Sequence, residues 1–253
     1  MNESLFALLQ SKYDAYVDSF RDASGELPQM MRLKLVHTNH VVQNAIAITQ
    51  GEQLDSLSSI VSKTAALLHD TGRYEQLLKY NTFRDADSVN HAKLSHDIIV
   101  EKAWLDSIQE RDAVLKAVLV HNMREIPGDI TDPLTLVASK VVRDADKLDI
   151  FRVLENEIEN SDWKTNCKAF WNLPIYEDPS DVVVESVRRN ISVPYNEIKT
   201  LADFILVQVG WIRSGLYFST TRKLALERNH MEYRRRFLHQ ITSSPVVDEL
   251  CVI

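Results

Sequence analysis

Apolar residues recur every three or four positions along almost this whole chain, the spacing that puts them on one face of an α-helix. Residues able to interrupt such a pattern are scarce: 6 glycines and 7 prolines among 253 residues. A chain built this way is expected to fold as an all-α bundle of ordinary helices joined by short loops. The first helix should start after Asn2 or Ser4 and run through "LFALLQSKYDAYVDSF", and the second covers "QMMRLKLVHTNHVVQNAIAIT" with Gly51 as its stop. "SLSSIVSKTAALLHD" reads as a third, capped by Asp55 or Ser56 and ended near Gly72. After a loop, "NTFRDADSVN", come "HAKLSHDIIVEKAWL" and "SIQERDAVLKAVLVHN", and then residues 132–160 as one long helix or two, with Pro133 in the first turn. "DVVVESV" has the composition of a strand but nothing obvious to pair with. Two further helical stretches, "NEIKTLADFILVQVGWIRSGL" and "STTRKLALERNHMEYRRRFLHQI", close the pattern.

Bulk properties narrow the setting. With 45% hydrophobic residues the chain can bury a sizeable core, read here as one α-helical domain over 1–253. Cys167 and Cys251 cannot form a disulfide framework, so a reducing, cytoplasmic location is the expectation. The first twenty residues read as an amphipathic helix rather than a signal peptide, and the ending "LCVI" gives lipidation no support. No apolar run approaches the roughly 18 residues needed to cross a bilayer. A net charge of −7 disfavours nucleic acid and anionic membranes as partners, because both are bound chiefly through Lys and Arg. The one basic cluster, Arg234, Arg235 and Arg236, is expected on a solvated helix face.

Histidine and aspartate placement carries the chemistry. His37 lies inside the second helix, His69 and Asp70 end the third, His91 begins a later helix, His121 ends the next, and Asp144 and Asp146 follow in "RDADKLD". Each spacing is about one helix plus a turn, so each member could project from a different helix into a bundle core, where metal sites are commonly built. A single helical histidine is far more often a hydrogen-bonded core or surface residue than a ligand; His40, His96, His230 and His239 are read that way. The ordered set is the signal.

In that order the chain resembles the HD-domain superfamily of metal-dependent phosphohydrolases. "VHTNHVVQNA" is similar to the family's first element, "LLHDTGR" to its His-Asp pair and "RDADKLD" to its late aspartate. The resemblance favours Asp146 over Asp144 as the late ligand, and histidines at 91 and 121 are similar to those of the binuclear branch. Ser95 stands where many binuclear members have glycine. The resemblance covers residues 30 to 150 clearly and the C-terminal helices weakly, which implies an HD core at about 30–155 with a helical extension at about 156–253. It implies that His37, His69, Asp70 and Asp146 hold one metal ion and His91 and His121 another, with Asp70 bridging. Imidazole nitrogen and carboxylate oxygen suit iron, manganese, nickel, cobalt or zinc.

Lys34, one helical turn before His37, Arg73 just after the His-Asp pair, and Lys147 beside Asp146 are candidate phosphate contacts. Surface salt bridges are the plain alternative for each. Asp149 and Glu75 are candidates for orienting ligands from behind. The aromatic-rich stretch from Trp163 to Tyr176, with Phe170 and Trp171, could cover the site or serve core packing or a dimer contact. No G-x-S-x-G elbow, P-loop or G-x-G-x-x-G is present. The expected function is hydrolysis of a small phosphate ester, a nucleotide foremost, by a metal-activated water; a homo-oligomer is compatible. Two alternatives use the same residues: a mixed-valent di-iron oxygenase cleaving a C–C or C–P bond, and a non-catalytic nucleotide-binding module. The oxygenase would place a tyrosine some ten residues ahead of the first histidine, where this chain reads "SGELPQ".

Overall fold

The computed structural model describes residues 1–165 and 170–252 and is helical throughout, with no strand among the described residues. The helices are α1 (Glu3–Asp18), α2 (Gln29–Gly51), α3 (Ser56–Leu68), α4 (Gly72–Tyr80), α5 (His91–Glu101), α6 (Arg111–Val120), α7 (Pro133–Asn160), α8 (Asp181–Arg188), α9 (Leu201–Gly210), α10 (Ser219–Glu227), α11 (His230–Ile241) and α12 (Val246–Leu250). Cap chemistry explains several starts. The Asn2, Asp55 and Asn90 side chains accept from the backbone N–H of Leu5, Ser58 and Lys93, satisfying donors that a helix N-terminus leaves unpaired. Thr200 and Asp203 form a reciprocal capping box at α9. No helix among the described residues is long and apolar enough to cross a membrane.

The chain divides into two compact units, Met1–Asp149 and Ile150–Ile253. In the first, α3 packs against α1, α2 and α6, and α5 lies between α4 and α6. Val41, Ala45 and Ile48 of α2, Val61, Ala65 and Leu68 of α3, Val114 and Val118 of α6, and Val141 and Leu148 of α7 are buried at the helical spacing read from the sequence. In the second unit α9 packs against α8 and α11, over a core that includes Val183, Val187, Ile205, Leu206 and Phe237. Each fully buried aliphatic side chain contributes about 1.5–3 kcal/mol.

The structure bears out some of these expectations and corrects others. Gly51 is the last residue of α2, and the left-handed residue after it is Gln53 (φ 53°). Gly72 does not end a helix but opens α4, four residues after α3 stops at Leu68. A Cβ there would sit 2.6 Å from the Ser95 backbone nitrogen and 2.7 Å from the His91 carbonyl oxygen, so close backbone approach is what requires glycine. Residues 133–160 form one helix, not two. "DVVVESV" is α8: its buried valines, 183, 184 and 187, fall at helical spacing, which outweighs their strand propensity.

The arginine cluster does not share one solvated face. Consecutive helical residues point about 100° apart, and Arg234 turns inward. It is buried, donates to Glu155 Oε1 (2.6 Å), Gln208 Oε1 (2.8 Å) and the His230 carbonyl (2.8 Å), and lies over the Phe151 ring. Arg235 pairs at the surface with Glu232 and Asp248. Within the second unit Trp163 packs edge-on against Phe237, and Phe170 and Trp171 pack against Phe204; Trp163 and Phe170 are buried, Trp171 is half-buried and Tyr176 is exposed. Residues 166–169 of that stretch, with Cys167, lie outside the described residues.

Candidate metal centre

Five helices or helix ends of the first unit converge on one buried cluster. His37 comes from the middle of α2, His69 and Asp70 from the end of α3, His91 from the first position of α5, His121 from the end of α6 and Asp146 from α7. Their donor atoms form three overlapping groups, each with all members within 4.8 Å of one another: His37, His69 and Asp70; His69, His121 and Asp146; Asp70, His91 and His121. All six residues singled out as ligands from the sequence are thus brought together. Asp144 is buried but belongs to none of these groups.

Asp70 stands between two sets of imidazoles. Its Oδ2 lies 3.7 Å from His37 Nε2 and 3.6 Å from His69 Nε2; its Oδ1 lies 3.5 Å from His91 Nε2 and 3.8 Å from His121 Nε2. Asp146 Oδ1 sits 3.1 Å from His37 Nε2 and 3.9 Å from His69 Nε2. One set therefore offers His37, His69, Asp146 and Asp70 Oδ2, and the other His91, His121 and Asp70 Oδ1.

Each ring is oriented from behind through Nδ1. His69 Nδ1 reaches the Ala66 carbonyl and His121 Nδ1 the Val118 carbonyl, both at 2.7 Å, three residues back on the same helix. His37 Nδ1 meets Asp149 Oδ2 at 2.6 Å, and His91 Nδ1 meets both oxygens of Asp85, at 2.9 and 2.7 Å. With the protons on Nδ1, all four Nε2 lone pairs turn inward, the arrangement metal-bound histidines adopt. His69 Nε2 is buried with no hydrogen-bond partner, and His91 Nε2 lies 3.0 Å from His121 Nε2. An orphaned buried nitrogen and two facing lone pairs are costly in a protein alone, even with Arg73 Nη2 donating to His91 Nε2 at 3.2 Å. A cation relieves both, so the residues fit metal ions.

The electrostatics agree for three of the four rings. Burial pushes the pKa of His69 down, and those of His91 and His121 down to about 4, keeping the rings neutral as ligands must be. For His37, burial and the Lys34 charge act downward, but Asp146 and Asp149 outweigh them and raise it. Burial opposes the charge of Asp70, yet Lys34, His69, Arg73 and His91 together hold its carboxyl well below the usual range. Asp146 is likewise lowered, against burial, by His37 and the other imidazoles.

Two of the three cations expected at the site approach Asp70. Lys34 Nζ donates to Asp70 Oδ2 at 2.8 Å, and Arg73 Nε lies 3.5 Å from Asp70 Oδ1. The two charges also approach the Phe83 ring, at 5.3 and 5.7 Å from its centroid. Lys147 is half-buried on α7 beside Asp144, Arg143 and Asp146, and burial draws its pKa down to about 8. Glu75 pairs with Lys79 instead of with a ligand; Asp149 does orient His37. His40 is exposed, and His96, His230 and His239 pair with Asp97, Glu155 and Asp248.

Two residues of the site escaped the sequence reading. Arg143, buried on α7, donates to the carbonyls of Val120, His121, Met123 and Arg124, and so fixes the chain as it leaves α6. Asp85 lies in a loop where an acid reads as solvated; burial works against its charge, but His91 and Arg73 pull its pKa down to about 2. Neither residue sits at a motif position.

No protein-family model matches this chain, and neither the curated proteins nor the solved structures contain a match. The site therefore rests on its own geometry.

Proposed function

We propose that this chain is a metal-dependent phosphohydrolase that hydrolyses a small phosphate ester, a nucleotide foremost, at a two-ion site of the HD type. The observation that carries the reading is the position of Asp70, which turns one carboxylate oxygen to His37 and His69 and the other to His91 and His121. A carboxylate placed in this way could serve both ions of a two-ion site. His37, His69 and Asp146 would complete the shell of the first ion, and His91 and His121 that of the second. The second set has three protein donors to the first set's four, leaving more of its shell open.

When bound, such ions supply Lewis acidity, polarising phosphoryl oxygens and making a water acidic enough to attack near neutral pH. The chain's own groups do the rest. Lys34 and Arg73 present two cations beside the bridging carboxylate, where they can bind the remaining phosphate oxygens; the guanidinium offers a planar fork and the ammonium a point charge. Asp149, Asp85 and two backbone carbonyls hold the ligand rings in the right tautomer. Burial of the cluster keeps bulk water from screening these charges.

The test is elemental analysis of purified protein followed by phosphate release from a panel of nucleotides and phosphomonoesters with iron, manganese, nickel, cobalt or zinc. About two ions per chain and turnover abolished by Asp70→Ala are expected. Absence of phosphate release with every metal would overturn the reading. Oxygen consumption by the di-iron form would replace it with the oxygenase, and tight nucleotide binding without turnover with a binding module.

A further inference from the structure

The four ligand histidines are not anchored alike. His69 and His121 give their Nδ1 protons to carbonyls of their own helices, contacts that follow from helix geometry. His37 and His91 depend on carboxylates from elsewhere in the chain. Asp149 lies on a helix, whereas Asp85 opens a short 3-10 turn in the segment between α4 and α5.

Asp85 also gathers other donors. Arg73 Nη1 donates to its Oδ1 at 3.1 Å and Gln76 Nε2 to the same oxygen at 3.0 Å. Asn122 Nδ2 donates to Oδ2 at 3.2 Å and the His91 backbone N–H to Oδ2 at 3.4 Å. Gln76 is buried; it accepts from Arg73 at 2.8 Å and donates to Ser88 Oγ and the Val89 carbonyl, so its amide is locked in place. Arg73 Nη2 in turn lies 3.2 Å from His91 Nε2. Since guanidinium can only donate, that nitrogen must accept, which puts the His91 proton on Nδ1 and aims it at Asp85.

We infer that Asp85 is a positioning residue that fixes Arg73 and His91 against each other, so that retention of the second ion and capture of the substrate's phosphate depend on one carboxylate. The inference rests on the two-ion phosphohydrolase reading. A carboxylate behind a ligand imidazole raises its basicity and sets its orientation, and loss of such a partner typically weakens metal binding by 10–100-fold. Here the same loss also removes the carboxylate partner of Arg73 Nη1, leaving that nitrogen only the neutral Gln76 Oε1 and Phe83 carbonyl among its hydrogen-bond acceptors and so loosening the group placed to meet the anion.

The experiment compares wild type with Asp85→Asn, which removes the charge but keeps the shape, and Asp85→Glu, which keeps the charge. Asp87→Asn, at an exposed residue paired with Arg84, is the control. Stepwise Co²⁺ titration followed by the cobalt absorption bands reads each ion separately, and inorganic phosphate added to the di-cobalt protein reads the anion contact. For Asp85→Asn the expected result is a 10–100-fold weaker second Co²⁺, a first within twofold of wild type, and at least fivefold weaker phosphate binding; Asp85→Glu should recover most of each. A lower melting temperature with both Co²⁺ affinities and phosphate binding intact would reduce Asp85 to a loop anchor and overturn the inference. Wild type binding fewer than two Co²⁺ would instead bring down the two-ion reading and the inference with it. Should Asp85→Asn not fold, long-range ¹H–¹⁵N spectra of the wild type decide: an Nδ1–H tautomer at His91 with a strongly downfield proton supports the inference, and an Nε2–H tautomer overturns it.

Discussion

His91 and His121 face each other Nε2 to Nε2 at 3.0 Å, and each ring has its Nδ1 proton committed elsewhere, to Asp85 and to the Val118 carbonyl. Neither nitrogen has a proton to offer the other. The pair makes sense as half of a shell around a cation, with Asp70 Oδ1 as its third member.

Removing one imidazole should therefore remove one ion. His91→Ala is expected to retain about one metal per chain and Asp70→Ala to lose both, measured by elemental analysis after extensive dialysis. Full metal content in His91→Ala would leave a single ion held by His37, His69, Asp70 and Asp146.

Lys34 and Arg73 are held by Asp70 in the protein itself, each at the margin of the cluster with a little side-chain exposure. A hydrogen bond to a charged group contributes about 1.5–3 kcal/mol, which corresponds to roughly 10–150-fold. Arg73→Ala and Lys34→Ala should lower kcat/KM for a phosphate ester by factors in that range, mainly through KM, while leaving the first ion in place. Unchanged KM in steady-state assays of both variants would place the substrate's phosphate elsewhere.

How much of this was legible in the sequence differs from residue to residue. Helix positions followed from apolar spacing and from caps such as Asn2 and Asp55, because both are local effects. The clustered His and Asp residues were legible because helices place their donors at regular intervals along the chain, although that spacing leaves Asp144 and Asp146 open and only the family resemblance chose between them. Asp85 and Arg143 were not, since their partners are brought to them by tertiary approach, and a loop acid or a helical arginine has no signature that tells buried from solvated. Gly72 was misread for the same reason: its constraint comes from α5, nineteen or more residues away in the chain. Arg234 was hidden by the two arginines that follow it, which do face solvent.

Acid should weaken the second unit through Glu155. Burial acts against its charge, but the hydrogen bond from His230 and the charge of Arg234 prevail and lower its pKa. A carboxyl with a depressed folded pKa contributes stability that is complete above its ordinary value, about 4.5, and is lost as pH falls through the lowered one. Urea midpoints read by tryptophan fluorescence should fall below pH 4.5 in wild type and fall less steeply in Glu155→Gln, which is already weaker at neutral pH. Equal acid slopes in the two proteins would rule out this contribution.

Gly72→Ala tests the seam between α4 and α5. The added methyl meets backbone, which cannot swing aside, so a cost of about 1–3 kcal/mol is expected. Since one of the obstructing atoms is the His91 carbonyl oxygen, the variant should also bind the second ion less tightly than wild type, and paired urea melts and metal titrations check both effects.

Arg143 donates to four main-chain oxygens at the end of α6 and in the segment after it. Every amino acid carries such an oxygen, so the grip is blind to what stands at positions 123 and 124. That rim can drift in sequence, acquiring new side chains that meet new molecules, without disturbing His121. A single arginine thus lets one border of the centre evolve while its chemistry stays put.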